Sequence, residues 1–264
     1  MINVLSRRLR VRDDGAGCTG EKISTFAEFE NEDAIVLLGE PGMGKTTFFR
    51  EASNNTYVTV REFLADPNDT VGEPFFLDAL DECKAFGGGT DIIREVVEKL
   101  LGLNKPKFRL SCRAADWFGG GDQSVLSKAS SSGKIVVLEL LPLTESEILN
   151  ALHVIVSDPN KLVHEVKSAG LDELLGNPLT LELIASAWEK TNRKPRNKYQ
   201  VFEMGISELV KEMNDYHGRK QSSIFDPNEL MEAAGAAFSV ILLSKLCRYF
   251  TYRCCGRRWV HENG

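Results

Sequence analysis

Short apolar runs alternate with amphipathic or glycine-rich stretches in the first half of the chain; helical periodicity takes over in the second. The runs Ala34–Leu38, Thr56–Val60, Phe75–Asp78, Lys107–Cys112 and Ile135–Leu140 are short and rich in β-branched and aromatic residues. They predict five strands. Between them, Ile92, Ile93, Val96, Val97, Leu100 and Leu101 recur at helical spacing and mark one face of a helix. Strands that alternate with helices argue for a parallel sheet covered on both faces. Beyond Pro142 no strand is predicted. Thr144-x-x-Glu147 is a capping box ahead of Ile148, Leu149, Leu152, Ile155 and Val156, and Asn177-Pro178 opens a further helix. The expected class is α/β: a five-stranded parallel sheet flanked by helices, followed by a small helical subdomain.

The same pattern divides the chain. Residues 1–30 read as a loose leader, basic and then glycine-rich over 1–20, with a short helix or turn from Ile23 to Glu30. The α/β domain is expected over 31–142 and the helical subdomain over 143–220. Residues 221–264 are expected to hold a last helix, Glu229–Leu246, and a basic tail.

Composition narrows the class. The 264 residues carry a formal charge of −6 and are 42% hydrophobic, enough for a sizeable core. The longest apolar stretch, Ala233–Leu243, has 11 residues, whereas a membrane span needs ~20. No apolar signal core follows Met1. The six cysteines include no C-x-x-C pair, and their spacing, with His261 beside Cys247, Cys254 and Cys255, does not suit a zinc site. Free thiols and a cytoplasmic location without membrane contact are expected. The charge is uneven: 245–264 is basic, with Lys245, Arg248, Arg253, Arg257 and Arg258 against Glu262.

The chemistry begins at Gly39-Glu40-Pro41-Gly42-Met43-Gly44-Lys45-Thr46, which fits G-x-x-x-x-G-K-[ST] between a predicted strand and a predicted helix. Glycines let the backbone approach a ligand, and successive N–H groups at a helix N-terminus favour a phosphate. Lys45 is placed to neutralise the β- and γ-phosphates, Thr46 to offer its hydroxyl to Mg²⁺, and Thr47 to reach the α-phosphate.

Two more segments complete the expected site. Phe75-Phe76-Leu77-Asp78 ends a buried strand in a carboxylate, at the sheet edge where open α/β folds bind ligands. Asp78 is the expected Mg²⁺ holder opposite Thr46. Asp81 and Glu82 crowd that edge, and Glu82 is preferred over Asp81 for orienting or deprotonating water. Arg113 follows a strand end and suits a γ-phosphate sensor. Gly119–Gly121 reads as a loose loop that lets the Arg113 segment move.

These segments, together with Leu140-Leu141-Pro142-Leu143 and Gly176-Asn177-Pro178-Leu179, stand in an order that resembles the NACHT-type branch of the STAND P-loop ATPases over about 35–190. The resemblance implies ATP and Mg²⁺ as cofactors, with Pro178 against the adenine and Arg113 as the sensor. It implies a slowly hydrolysing signalling switch in bacterial defence or stress response, partnered by ATP/ADP and by a homo-oligomer or an effector protein. Members are long, and their winged-helix histidine has no match at His217 or His261. With the composition change after Leu243, this gives the expectation of a truncated product or an altered frame. Two alternatives stay open: an AAA-type remodelling ATPase, and a nucleic-acid-binding module working through the aromatic, basic tail around Arg248–Trp259. Nucleic acid is the less favoured partner, given the overall negative charge.

Overall fold

The computed structural model describes residues 4–12, 22–66, 74–87, 90–191 and 200. The chain divides into two compact units, Met1–Ala185 and Ser186–Gly264. The expected helices around Val201–Met213 and Glu229–Leu246, the basic tail and the terminal cysteines lie outside the described residues.

The first unit is built on a seven-stranded sheet. Its strands are β1 (Leu9–Arg12), β2 (Ile23–Ser24), β3 (Ala34–Leu38), β4 (Val58–Thr59), β5 (Phe75–Asp78), β6 (Phe108–Cys112) and β7 (Val136–Leu140), in the spatial order β2-β1-β7-β3-β6-β5-β4. The five expected strands are all present and run parallel. The other two correct the expectation of a loose leader. Leu9–Arg12 pairs antiparallel with β7, placing Leu9 opposite Leu140, and carries β2 on its outer side. Leu9 is fully buried, while Arg10 and Arg12 reach Glu139 at 3.7 and 3.1 Å. The segment is thus a half-buried strand with alternating sides, whose charges hide its period of two.

The helices between the strands are α1 (Lys45–Ala52), α2 (Val60–Ala65), α3 (Leu80–Gly87), α4 (Thr90–Gly102) and α5 (Gly120–Leu126). Alternate residues of β3 feed two cores. Ala34, Val36 and Leu38 pack with Val60, Phe63, Val96 and Leu100, whereas Ile35 and Leu37 pack with Phe26, Phe48, Phe49 and Phe76. A strand buried on both faces reads as the continuous apolar run seen in the sequence. The edge strand β4 is shorter than expected. Thr59, the last residue of the strand, also forms a capping box with Glu62 and so starts α2 at Val60.

After β7 come α6 (Glu145–Leu152), α7 (Pro159–Ser168), α8 (Asp172–Leu175) and α9 (Pro178–Thr191). Both predicted caps form: Thr144 and Glu147 cap each other, and Asn177 Oδ1 accepts from Leu179 N at 3.0 Å. The glycine triplet departs from expectation. Gly120 and Gly121 begin α5, and Asp122 ties that helix down through a buried ion pair with Lys84 at 2.6 Å.

Strand register sets the site. Leu37 lies beside Ser111 and Leu38 beside Cys112, while Leu77 pairs with Leu110. The C-terminal ends of β3, β6 and β5 therefore finish together, which brings Gly39, Ser111 and Asp78 to one edge.

Candidate functional site

The glycine loop joins β3 to α1. Gly42 and Gly44 take φ of +79° and +86°, a backbone region where a β-carbon is strained. At Gly42 a β-carbon would also come within 2.8 Å of Asn177 Oδ1 and 2.9 Å of the Leu179 side chain. The loop is held from two sides. Asn177 Nδ2 donates to Pro41 O at 2.9 Å and Leu179 N to Gly42 O at 3.3 Å, so the start of α9 rests on it. From the other side the buried Arg7 guanidinium donates to Met43 O, and to Leu141 O at 2.6 Å. Burial lowers the Arg7 pKa and Glu147 opposes the shift. From the sequence alone Arg7 belongs to a basic leader. A lone arginine gives no sign of the distant carbonyls it satisfies.

Lys45 opens α1 and folds back on the loop, donating to Gly39 O at 2.7 Å and Glu40 O at 3.3 Å. Burial lowers its pKa; Asp81 raises it, Arg113 lowers it further, and Asp78 raises it. The ammonium therefore lies within electrostatic reach of Asp81, Arg113 and Asp78.

Thr46 and Asp78 meet as expected. Thr46 Oγ1 donates to Asp78 Oδ2 at 2.6 Å, and Ser111 Oγ donates to Asp78 Oδ1. Ser111 Oγ also accepts from Ala79 N at 2.9 Å. Asp78 is only 4% exposed, so two hydroxyls fix both of its oxygens. Ala79, which turns the chain from β5 into α3, has φ +61°. The left-handed region costs a β-carbon about 1–2 kcal/mol, and glycine's freedom in the unfolded chain offsets roughly 0.5–1 kcal/mol of any relief. Ala79→Gly is therefore expected to raise stability by roughly 0.5–1 kcal/mol, read as a higher urea midpoint at unchanged slope. A lower midpoint would show that no strain is stored there.

The remaining acids separate. Asp81 is buried and pairs with Arg113: Nε lies 2.7 Å from Oδ2, and the Arg113 backbone N donates to Oδ1 at 3.2 Å. Glu82, one position on, is exposed and lines a different cavity of about 720 Å³ with Arg61 and Cys83. Neighbouring helix positions point about 100° apart, so the two acids cannot share a face. The Glu82 carboxylate makes no hydrogen bond or ion pair among the described residues.

Two adjoining cavities open over the loop. One, of about 310 Å³, is lined by Gly42, Gly44, Lys45, Thr46, Thr47, Pro178, Leu179 and Glu182. The other, of about 380 Å³, has a mainly apolar wall that includes Val4, Val154, Ile155, Pro178 and Leu181. Among the described residues no group of three or more His, Cys, Asp or Glu could hold a metal without help, and no helix is long and apolar enough to cross a membrane. Thr46 and Asp78 supply two oxygen donors, the hard-ligand chemistry that suits Mg²⁺ when substrate phosphates and water complete its shell.

A glycine loop between the central strand and α1, with the acid of β5 two strands away across β6, gives the chain the P-loop NTPase fold. No protein-family profile matches the chain, and no curated protein does. Among solved structures it is similar to domain III of the replication initiation protein DnaA from Thermotoga maritima, at 13% identity and TM-score 0.39, over 68% of this chain and 86% of that one. It is also similar to AMPPCP-bound DnaA from Aquifex aeolicus, at 13% identity and TM-score 0.35, over 84% and 87%. A third likeness is to the Thermotoga maritima RuvB Holliday junction branch migration motor, at 14% identity and TM-score 0.30, over 77% and 74%. These scores are low, and the fold class stands on the chain's own strand order and loop.

Proposed function

We propose that the chain binds ATP with Mg²⁺ and hydrolyses it slowly, as a nucleotide-controlled switch of the NACHT/STAND type. The observation that carries this is the meeting of Lys45, the Thr46–Asp78 pair and the Asp81–Arg113 pair at one sheet edge, beside an apolar cavity walled by Pro178. The loop amides and Lys45 hold the β- and γ-phosphates, Thr46 and Asp78 the metal, and Thr47 the α-phosphate. The base enters the apolar cavity.

Within this proposal the two adjacent acids part. Asp81 restrains Arg113 at the phosphate edge, whereas Glu82 lines a separate cavity and is given no part in orienting the attacking water. A γ-phosphate competes with Asp81 for the Arg113 guanidinium, so ATP and ADP stabilise different Arg113 positions. That difference is what can bias a conformational equilibrium. The start of α9, bonded to Pro41 and Gly42, gives the loop a route to the helices behind it.

The test is equilibrium binding of labelled ATP and ADP, with and without Mg²⁺, to wild type and Lys45→Ala. A charge-assisted contact contributes about 1.5–3 kcal/mol, so roughly ten- to hundredfold weaker ATP binding is expected in the variant. Equal affinity in the two proteins overturns the proposal.

A further inference from the structure

We propose that Glu182 holds the ribose of the bound nucleotide and makes this site select ribonucleotides over deoxyribonucleotides. The inference rests on the proposal above that the site takes a nucleoside triphosphate, and it names a residue with no part in that proposal.

The two cavities over the loop share four lining residues: Gly44, Thr47, Pro178 and Glu182. A nucleotide with its phosphates in the glycine loop and its base in the apolar cavity must pass its sugar through that junction. Of the four, Gly44 has no side chain and Pro178 has no polar atom on its ring. Thr47 is the residue that the proposal above already assigns to the α-phosphate. Glu182 is the ionisable residue at the junction, and its carboxylate only accepts hydrogen bonds. The ribose 2′- and 3′-hydroxyls are neighbouring donors that match it. The same hydroxyl chemistry underlies acidic recognition of ribose in dinucleotide folds.

Two further facts fit this role. Glu182 is exposed and makes no hydrogen bond or ion pair among the described residues, so its acceptor capacity is unspent. It also stands one turn beyond Pro178 on α9, whose start is fixed to the loop through Asn177–Pro41 and Leu179–Gly42. Its position is therefore set relative to the phosphates. A carboxylate there repels a triphosphate, so the two effects of removing it have opposite signs. Loss of the sugar contact weakens ATP, and loss of the repulsion strengthens every triphosphate.

The ratio of affinities separates them. Binding of ATP, 2′-deoxy-ATP and 3′-deoxy-ATP is measured on the full chain, as wild type, Glu182→Ala and Glu182→Gln. Wild type is expected to favour ATP by about tenfold over at least one deoxy analogue, as a charge-assisted bond implies. In Glu182→Ala that preference is expected to fall to about one, with the deoxy analogues bound as well as or better than by wild type. Glu182→Gln, which keeps an acceptor, is expected to retain part of the preference. Absence of a preference in wild type, or an unchanged preference in Glu182→Ala, overturns the role of Glu182 while nucleotide binding stands. Failure of wild type to bind any of the three overturns the nucleotide proposal itself, and this inference with it.

Discussion

Asp78→Asn is expected to fold normally and to lose Mg²⁺-dependent turnover by about two to three orders of magnitude, the scale seen when one preorganised electrostatic contact is removed from a reacting phosphate or oxyanion. The fold should survive because the amide keeps the shape of the carboxylate. Hydroxyls rotate, so Thr46 and Ser111 can each donate to the amide oxygen or accept from the amide nitrogen. What is lost is the charge opposite Thr46, and with it the attraction for a divalent cation. ATP binding without metal should change little, since the loop amides and Lys45 are untouched. The measurement is phosphate release and ATP affinity across a Mg²⁺ titration, with thermal unfolding as the control. Turnover and metal dependence equal to wild type, in a protein with an unchanged melting profile, would remove Asp78 from the site.

How much of this was legible in the chain depends on distance along it. The phosphate loop is contiguous because three glycines, a lysine and a threonine must all wrap one phosphate group, and they stand within Gly39–Thr46, so its chemistry is written locally. The buried strands read as apolar runs for the same reason. The Thr46–Asp78–Ser111 contact was half legible: Thr46 and Asp78 were expected to face each other, but nothing in the sequence says that Ser111 would fix the second oxygen. That contact depends on β6 lying between β3 and β5. The division between Asp81 and Glu82 needed the helical phase of α3. Arg7 needed the packing of the chain's first residues against Met43 and Leu141, the latter 134 residues away. β1 was hidden because its exposed side carries arginines that find Glu139, a partner in a strand more than a hundred residues on. Signals carried by tertiary pairing are absent from local pattern, and here they fall on the residues that support the site more than on those that would touch a ligand.

The Lys84–Asp122 pair is the sharpest instance and carries the largest expected effect on stability. The side chains are 6% and 4% exposed and 2.6 Å apart. Lys84 Nζ also donates to Asp116 O at 2.8 Å and lies 4.9 Å from the Phe118 ring centroid, and Asp122 accepts from Phe118 N at 3.0 Å. Removing either partner leaves a buried charge without its counterion. Lys84→Met and Asp122→Ala are each expected to cost about 3–5 kcal/mol, a large share of the 5–15 kcal/mol that typically holds a domain. The double variant should be less destabilised than the sum of the two, because no orphaned charge remains. The pair also ties α3, which bears Asp81 and Glu82, to the segment that follows Arg113. Loosening it should therefore free Arg113 from Asp81 as well as lower stability. Urea unfolding of the two single variants and the double one closes the cycle. Single-variant losses under about 1 kcal/mol would place this pair with the weak ion pairs of protein surfaces, and the Arg113 segment would then need another anchor.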